Sequence, residues 1–185
     1  MAFQSYTPVQ MIEKLVGFDT TSRNSNLELI DWVQDYLKPF GARFSTVHDA
    51  TGKKANLIAT VGPEGDGGII LSGHTDVVPV DGQDWHTDPW VVTEKAGKLY
   101  GRGTSDMKSF IAIGLALVPE FMRRGIKTPL HFALSYDEEV GCLGVEGIIR
   151  HLRAEGVRPA AAIVGEPTEM QVINAHKGGH IVQTI

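Results

Sequence analysis

The chain has 185 residues, 42% of them hydrophobic, 21% charged and 8% aromatic. That composition fits one packed domain and excludes disordered or collagen-like chains. Lysine and arginine total 17 against 22 acidic residues, a formal charge of −5, which argues against sequence-independent nucleic-acid binding, since that rests on basic groups neutralising phosphates.

The single cysteine, Cys142, excludes an intrachain disulfide framework and fits a reducing compartment. The first residues lack the basic and apolar regions of a signal peptide, and the longest strongly apolar run, Phe110 to Val118, is too short to cross a bilayer. The expectation is a cytoplasmic protein that binds neither membrane nor nucleic acid.

In chain order, Thr7-Pro-Val-Gln10 has the pattern of a helix start, with Thr as N-cap, Pro at the first position and Gln closing a capping box. The helix behind it is expected to bury Met11, Leu15 and Phe18, which recur at helical spacing. A second helix is predicted from about Asn26 to Leu37, with Leu29, Ile30, Val33 and Leu37 inward and Pro39 ending it. Strands are predicted at Arg43–Val47, Ala55–Val61 and Gly68–Ser72, and a hairpin from Trp90–Thr93 and Lys98–Tyr100. A long apolar helix follows from about Met107 to Arg124, then a strand at Leu130–Ser135, a helix at Gly144–Ala154 and a strand at Ala160–Val164. Val172–Ala175 and Ile181–Ile185 have strand-like composition. Strands alternating with helices, several of them continuously apolar, predict an α/β fold: a mixed, mostly parallel sheet covered by helices on both faces.

Three of the apolar strands run directly into acidic residues or histidine. Ile69-Ile-Leu-Ser-Gly73 leads to His74-Thr-Asp76, Leu130–Tyr136 leads to Asp137-Glu-Glu139, and Ala160–Val164 leads to Gly165-Glu-Pro167. Asp106 follows a glycine-rich stretch and opens the long helix. Open α/β sheets bind ligands beyond the carboxyl ends of their strands, so these groups can share one crevice. Carboxylates gathered there repel one another unless a cation sits among them. His74, Asp106, Glu139 and Glu166 form a nitrogen and oxygen donor set suited to zinc, with cobalt and manganese as alternatives. Asp76, two residues after His74, is placed to accept a hydrogen bond from the free ring N–H. Each motif alone has a commoner reading: a turn, a solvated acidic face or, for Asp106, an N-cap. Their joint placement at strand ends favours the metal site. His48, His86, His131 and His151 match no ligand motif, and strand or turn roles are expected for His176 and His180. Cys142 reads as a packing residue rather than a nucleophile, because nearby carboxylates oppose a thiolate.

Ser72–Trp85, Tyr100–Lys108, Ser135–Cys142 and Gly165–Thr168 together resemble the dinuclear-zinc family of aminoacylases, carboxypeptidases and desuccinylases, most of all its acetylornithine deacetylase branch. The resemblance implies two Zn2+ ions per complete site, with Co2+ as an alternative. By position, Asp106 would bridge them, His74 and Glu166 would complete one, and Glu139 would bind the other. It further implies that Asp76 supports His74, that Glu138 is the general base on the attacking water, and that the Asp106–Met107 peptide is cis. The implied substrate is a small N-acyl amino acid, N2-acetyl-L-ornithine in the finer reading, and the implied complete protein is a homodimer. Members run to about twice this length, so residues 1–177 are expected to be the N-terminal part of the metal-binding domain and residues 178–185 the start of a lid domain. The late His ligand of the Glu139 metal would lie beyond Ile185, and the chain alone is expected to be inactive. A related deacylase and a non-catalytic metal-binding module are the competing readings.

Overall fold

The computed structural model describes residues 5–175. Helix α1 (Pro8–Val16) begins with the capping box read from sequence: Gln10 N–H donates to Thr7 Oγ1 at 3.2 Å and Thr7 N–H to Gln10 Oε1 at 2.9 Å. It buries Met11, Ile12, Leu15 and Val16. Phe18 falls just past its end and is half-buried. Helix α2 (Leu27–Leu37) buries the four residues expected of it, together with Tyr36, and passes into a 3-10 turn at Lys38–Phe40.

The strands are β1 (Arg43–His48), β2 (Ala55–Val61), β3 (Ile69–His74), β4 (Thr93–Lys95), β5 (Lys98–Tyr100), β6 (Leu130–Ser135) and β7 (Ala161–Val164). Helix α3 spans Lys108–Arg124 and α4 spans Val145–Ala154. The main sheet has the order β1-β2-β6-β3-β7. β6, β3 and β7 pair in parallel, while β2 is antiparallel to both β1 and β6. Four of the five strands therefore run in one direction, and β2 alone runs against them. Strand alternation divides the core. Leu57, Ala59, Val61, Phe132 and Leu134 face a layer built from α1, α2 and α3. Ile58, Ile70 and Ala133 face Ile148 of α4 on the other side. Helices thus cover both faces, as expected.

Helix α3 carries Pro119 in its interior. A proline there has no N–H for the carbonyl four residues earlier. That carbonyl, Leu115 O, instead accepts the Tyr36 hydroxyl at 3.3 Å, and burial pushes the Tyr36 phenol up to about 12. The separate β4–β5 hairpin is shorter than expected: only Thr93 of the Trp90–Thr93 run is strand, and Ala96 and Gly97 make the turn with positive φ. Val172–Ala175 forms no strand: among the described residues no strand pairs with it, and Val172 is exposed. The expectations for His176, His180, Ile181–Ile185 and the 178–185 lid segment lie outside the described residues. Among the described residues no helix is long and apolar enough to cross a membrane.

Candidate metal centre

The parallel strands deliver their carboxyl ends to one place. β3 ends on His74, β6 runs into Asp137-Glu138-Glu139, β7 runs into Gly165-Glu166, and α3 begins two residues after Asp106. Two glycines allow the elements to come this close. A Cβ at Gly73 would sit 2.9 Å from Ile111 Cγ1, so a side chain there would push α3 off the end of β3. A Cβ at Gly165 would sit 2.0 Å from the Phe110 ring, so β7 can lie against α3 only with glycine there. The Asp106–Met107 peptide is cis, as the resemblance implies, and the His74 N–H donates to Met107 Sδ at 3.4 Å.

Ligand atoms of His74, Asp106 and Glu139 all lie within 4.8 Å of one another. His74 Nε2 is 3.0 Å from Asp106 Oδ1, 3.8 Å from Glu166 Oε1 and 3.9 Å from Glu138 Oε2. The structure therefore gathers all of the sequence-predicted site residues around one imidazole. Glu166 lies beside His74 and Asp106, while Glu139 approaches from the loop after β6.

Asp76 departs from the simplest expectation. His74 Nδ1 is 2.9 Å from the main-chain carbonyl of Asp76 and 3.5 Å from its carboxylate, so the carbonyl is the closer acceptor. The carboxylate is committed elsewhere: Oδ1 accepts the Glu138 N–H at 3.0 Å, and Oδ2 accepts the Glu139 N–H at 3.2 Å and the Ser22 hydroxyl at 2.7 Å. One buried carboxylate thus ties the histidine end of β3 to both glutamates. The sequence does not reveal Ser22, nor Asn56, which is fully buried and bridges the Tyr136 N–H and the Gly144 carbonyl across the glutamate loop. Lys54 also escapes it: its ammonium pairs with Asp137 at 2.5 Å. The partners of these residues lie far away in sequence, and no local pattern marks them.

The electrostatics show a site short of positive charge. Burial opposes a charged His74, but the Asp76 and Asp106 oxygens override it and raise the imidazole to about 9. Burial, then the neighbouring Asp106 charge, raises the Glu139 carboxyl, and burial with Asp106 and Glu138 raises Glu166 against the lowering pull of His74. Asp76 moves the other way, because its hydrogen bonds outweigh its burial. With Nδ1 donating to the Asp76 carbonyl, Nε2 is the atom that faces the carboxylates. There it can carry a proton, or offer its lone pair to a cation. An imidazole nitrogen surrounded by crowded carboxylate oxygens suits a divalent ion such as zinc, so the donor set fits the metal that the resemblance implies. Cys142 is exposed, so it is not the packing residue expected; its thiol donates to Glu138 Oε1 at 3.4 Å, and slight burial with that acceptor raises its pKa, away from a thiolate. His131 sits inside the sheet with Thr60 Oγ1 2.8 Å from its Nδ1, a structural role.

Residues 70–177 match the family described as peptidase family M20/M25/M40. The chain belongs to this family. Curated relatives within reach of it include the acetylornithine deacetylases of Pasteurella multocida, 40% identical over 92% of this chain and 45% of that protein, and of Shigella sonnei, 40% identical over 87% and 41%. The chain spans under half the length of these relatives. Among solved structures, human carnosine dipeptidase 1 superposes with a TM-score of 0.71 at 27% identity, covering 85% of this chain and 37% of that one. An M20 family metallo-carboxypeptidase from Sulfolobus solfataricus gives 0.74 at 17% identity, covering 86% and 37%, and bears on the fold alone. The M20 fold thus accounts for the sheet order, and the acidic strand ends lie where open α/β sheets place their ligands.

Proposed function

We propose that the protein carrying this chain is a metal-dependent amide hydrolase that removes the acetyl group from N2-acetyl-L-ornithine, giving L-ornithine and acetate, a cytoplasmic step of arginine biosynthesis. The observation that carries the reading is the convergence of His74, Asp106 and Glu139 ligand atoms within 4.8 Å, with the Glu138 carboxylate beside them and 38% exposed. The choice of substrate is supported by the 40% identity to acetylornithine deacetylases.

His74, Asp106 and Glu166 would hold one zinc ion, and Asp106 with Glu139 would contribute to a second. A bound zinc ion supplies Lewis acidity, lowering the pKa of water toward 7 and polarising the amide carbonyl. The chain's own residues do the rest. The Glu138 carboxylate takes a proton from the attacking water and returns it to the amine nitrogen as the amide C–N bond breaks. Asp76 holds the Glu138 and Glu139 backbones, so the base and the neighbouring donor keep a fixed separation. No serine or cysteine nucleophile is needed. Residues 1–177 would form the N-terminal part of the metal-binding domain, with 178–185 opening a lid that dimerises the complete protein.

The test is amide cleavage, read as the new amine it frees, by the complete protein with added zinc or cobalt, offered N2-acetyl-L-ornithine, N-succinyl-diaminopimelate and a dipeptide. Preferred turnover of N2-acetyl-L-ornithine is expected, with the 185-residue chain alone at less than about a tenth of that rate, because lost positioning removes orders of magnitude. Preference for either other substrate would replace this reading with a related deacylase or peptidase.

A further inference from the structure

The segment Phe18–Ser22, between α1 and α2, touches the elements that carry the cluster. Phe18 O accepts the Lys108 ammonium at 2.7 Å; Lys108 is fully buried and lies two residues after Asp106. Thr20 and Ser22 bracket the chain just past Asp76: the Val77 N–H donates to Thr20 O at 3.2 Å, and the Ser22 N–H donates to Val77 O at 3.1 Å. Thr21 and Val77 form an isolated parallel bridge. The Lys54 ammonium, which pairs with Asp137 beside the two glutamates, also donates to Ser22 O. One short segment therefore braces the ends of β3 and β6 and the start of α3.

Within that brace Ser22 makes a contact of a different kind. Its hydroxyl is buried and donates to Asp76 Oδ2 at 2.7 Å; the other nearby acceptor, Val77 O, is at 3.4 Å and too long to compete. The Asp76 side chain is only 3% exposed, so water does not supply a substitute donor. Three donors hold this carboxylate: Ser22 Oγ, the Glu138 N–H and the Glu139 N–H. A carboxylate turns readily about its last bond. With the Ser22 hydroxyl gone, Oδ2 keeps only the Glu139 N–H at 3.2 Å, and the carboxylate is free to turn about that last bond and loosen its hold on the two glutamate amides.

We propose that Ser22 is a positioning residue for the metal cluster, acting through Asp76 to fix Glu138, Glu139 and His74 relative to one another. The proposal rests on the metal-site reading above. Groups that orient metal ligands at one remove typically change affinity by about 10–100-fold when altered; Ser22 acts one step further out, through Asp76, so the lower end of that range is expected.

The experiment is cobalt(II) titration of the 185-residue chain and its variants, reading both dissociation constant and visible absorption of the bound ion. Ser22→Ala and Ser22→Cys should each bind cobalt about tenfold or more weakly and shift its absorption bands; Cys keeps the volume with a poor donor, so it carries the test even where Ala fails to fold. Ser22→Thr, which keeps the hydroxyl, should return within about threefold of the unaltered chain with its spectrum. A merely structural serine would lower the melting temperature of the metal-free chain without moving the spectrum. Ala or Cys binding within twofold, spectrum unchanged, overturns the proposal. His74→Ala in the same series separates the two readings: retained cobalt there overturns the metal site itself, whereas lost cobalt there with retained cobalt in the Ser22 variants overturns only the role of Ser22.

Discussion

The two halves of the acidic cluster are built differently. On one side, the end of β3 is dry: the His74 and Asp76 side chains are 1% and 3% exposed, and the Phe18–Ser22 segment, Asn26 and Lys108 pack around them. Asn26 alone joins three elements, donating to Ala55 O and Thr75 Oγ1 and accepting the Ala55 N–H. On the other side, the carboxylates are open: Asp106 is 49% exposed, Glu138 38% and Glu166 39%. β7, which runs into Glu166, is exposed along its whole length. The groups that fix geometry are buried and many-partnered, while the groups that would touch water and substrate keep free oxygens. A buried network holds its members within narrow limits because an unpaired polar group there is costly. An exposed carboxylate keeps lone pairs within reach of water, as a general base requires.

That contrast can be broken first on its open side. In the complete protein, Glu138→Gln is expected to cut turnover by about 10²–10⁴-fold while leaving metal content nearly unchanged, because an amide cannot take the proton from water. Near-normal kcat with acetate release as readout would remove Glu138 from that role.

The buried side responds to pH. His74 in the metal-free chain holds its proton up to about 9, and a metal ion must displace that proton from Nε2. Affinity should therefore rise with pH by up to tenfold per unit below 9, about a hundredfold between pH 6 and 8. The sign follows from the raised value: the proton-bound form dominates below it and competes with the ion. Flat cobalt affinity across that range would mean that His74 is not a ligand.

Asp76→Asn is the next largest change. An amide oxygen can still accept one backbone N–H, but its NH2 meets the other donors, so affinity should fall by about 10–100-fold. The metal-free fold should change less than metal affinity does, as measured by thermal melting beside titration. Equal loss of both would place Asp76 with the core rather than with the site.

Much of this arrangement is legible in the residues themselves, and the exceptions share a cause. The limits of β2 and β6 coincide with apolar runs, Ala55–Val61 and Leu130–Ser135, because both strands are covered on both faces. The four strand-end groups are visible because open α/β sheets present their carboxyl ends together. Ser22 is not visible, since its partner Asp76 lies 54 positions away and a Thr-Thr-Ser stretch has no local signature of a buried donor. Lys54 and Lys108 are hidden for the same reason, and a lysine with no exposed surface, as Lys108 is, runs against the usual habit of that residue. Pairing also decides what composition leaves open: Val172–Ala175 has strand-like residues but no strand beside it among the described residues.

The smallest expected effect lies farthest from the cluster. Thr7→Ala removes the side-chain half of the capping box of α1 and should cost about 1 kcal/mol of stability in a denaturant melt, with no change in metal affinity. A change in affinity there would show that α1 and the Phe18–Ser22 segment behind it set the site more tightly than the contrast implies.

The most direct test of the central claim, that His74 anchors a divalent metal among these carboxylates, is calorimetric zinc titration of the 185-residue chain at pH 7 in buffers of different protonation enthalpy, beside His74→Ala. Saturable binding that releases about one proton per ion, and that weakens by more than about a hundredfold in the alanine variant, is the expected result. Absence of saturable binding, or equal binding by the two chains, would contradict it.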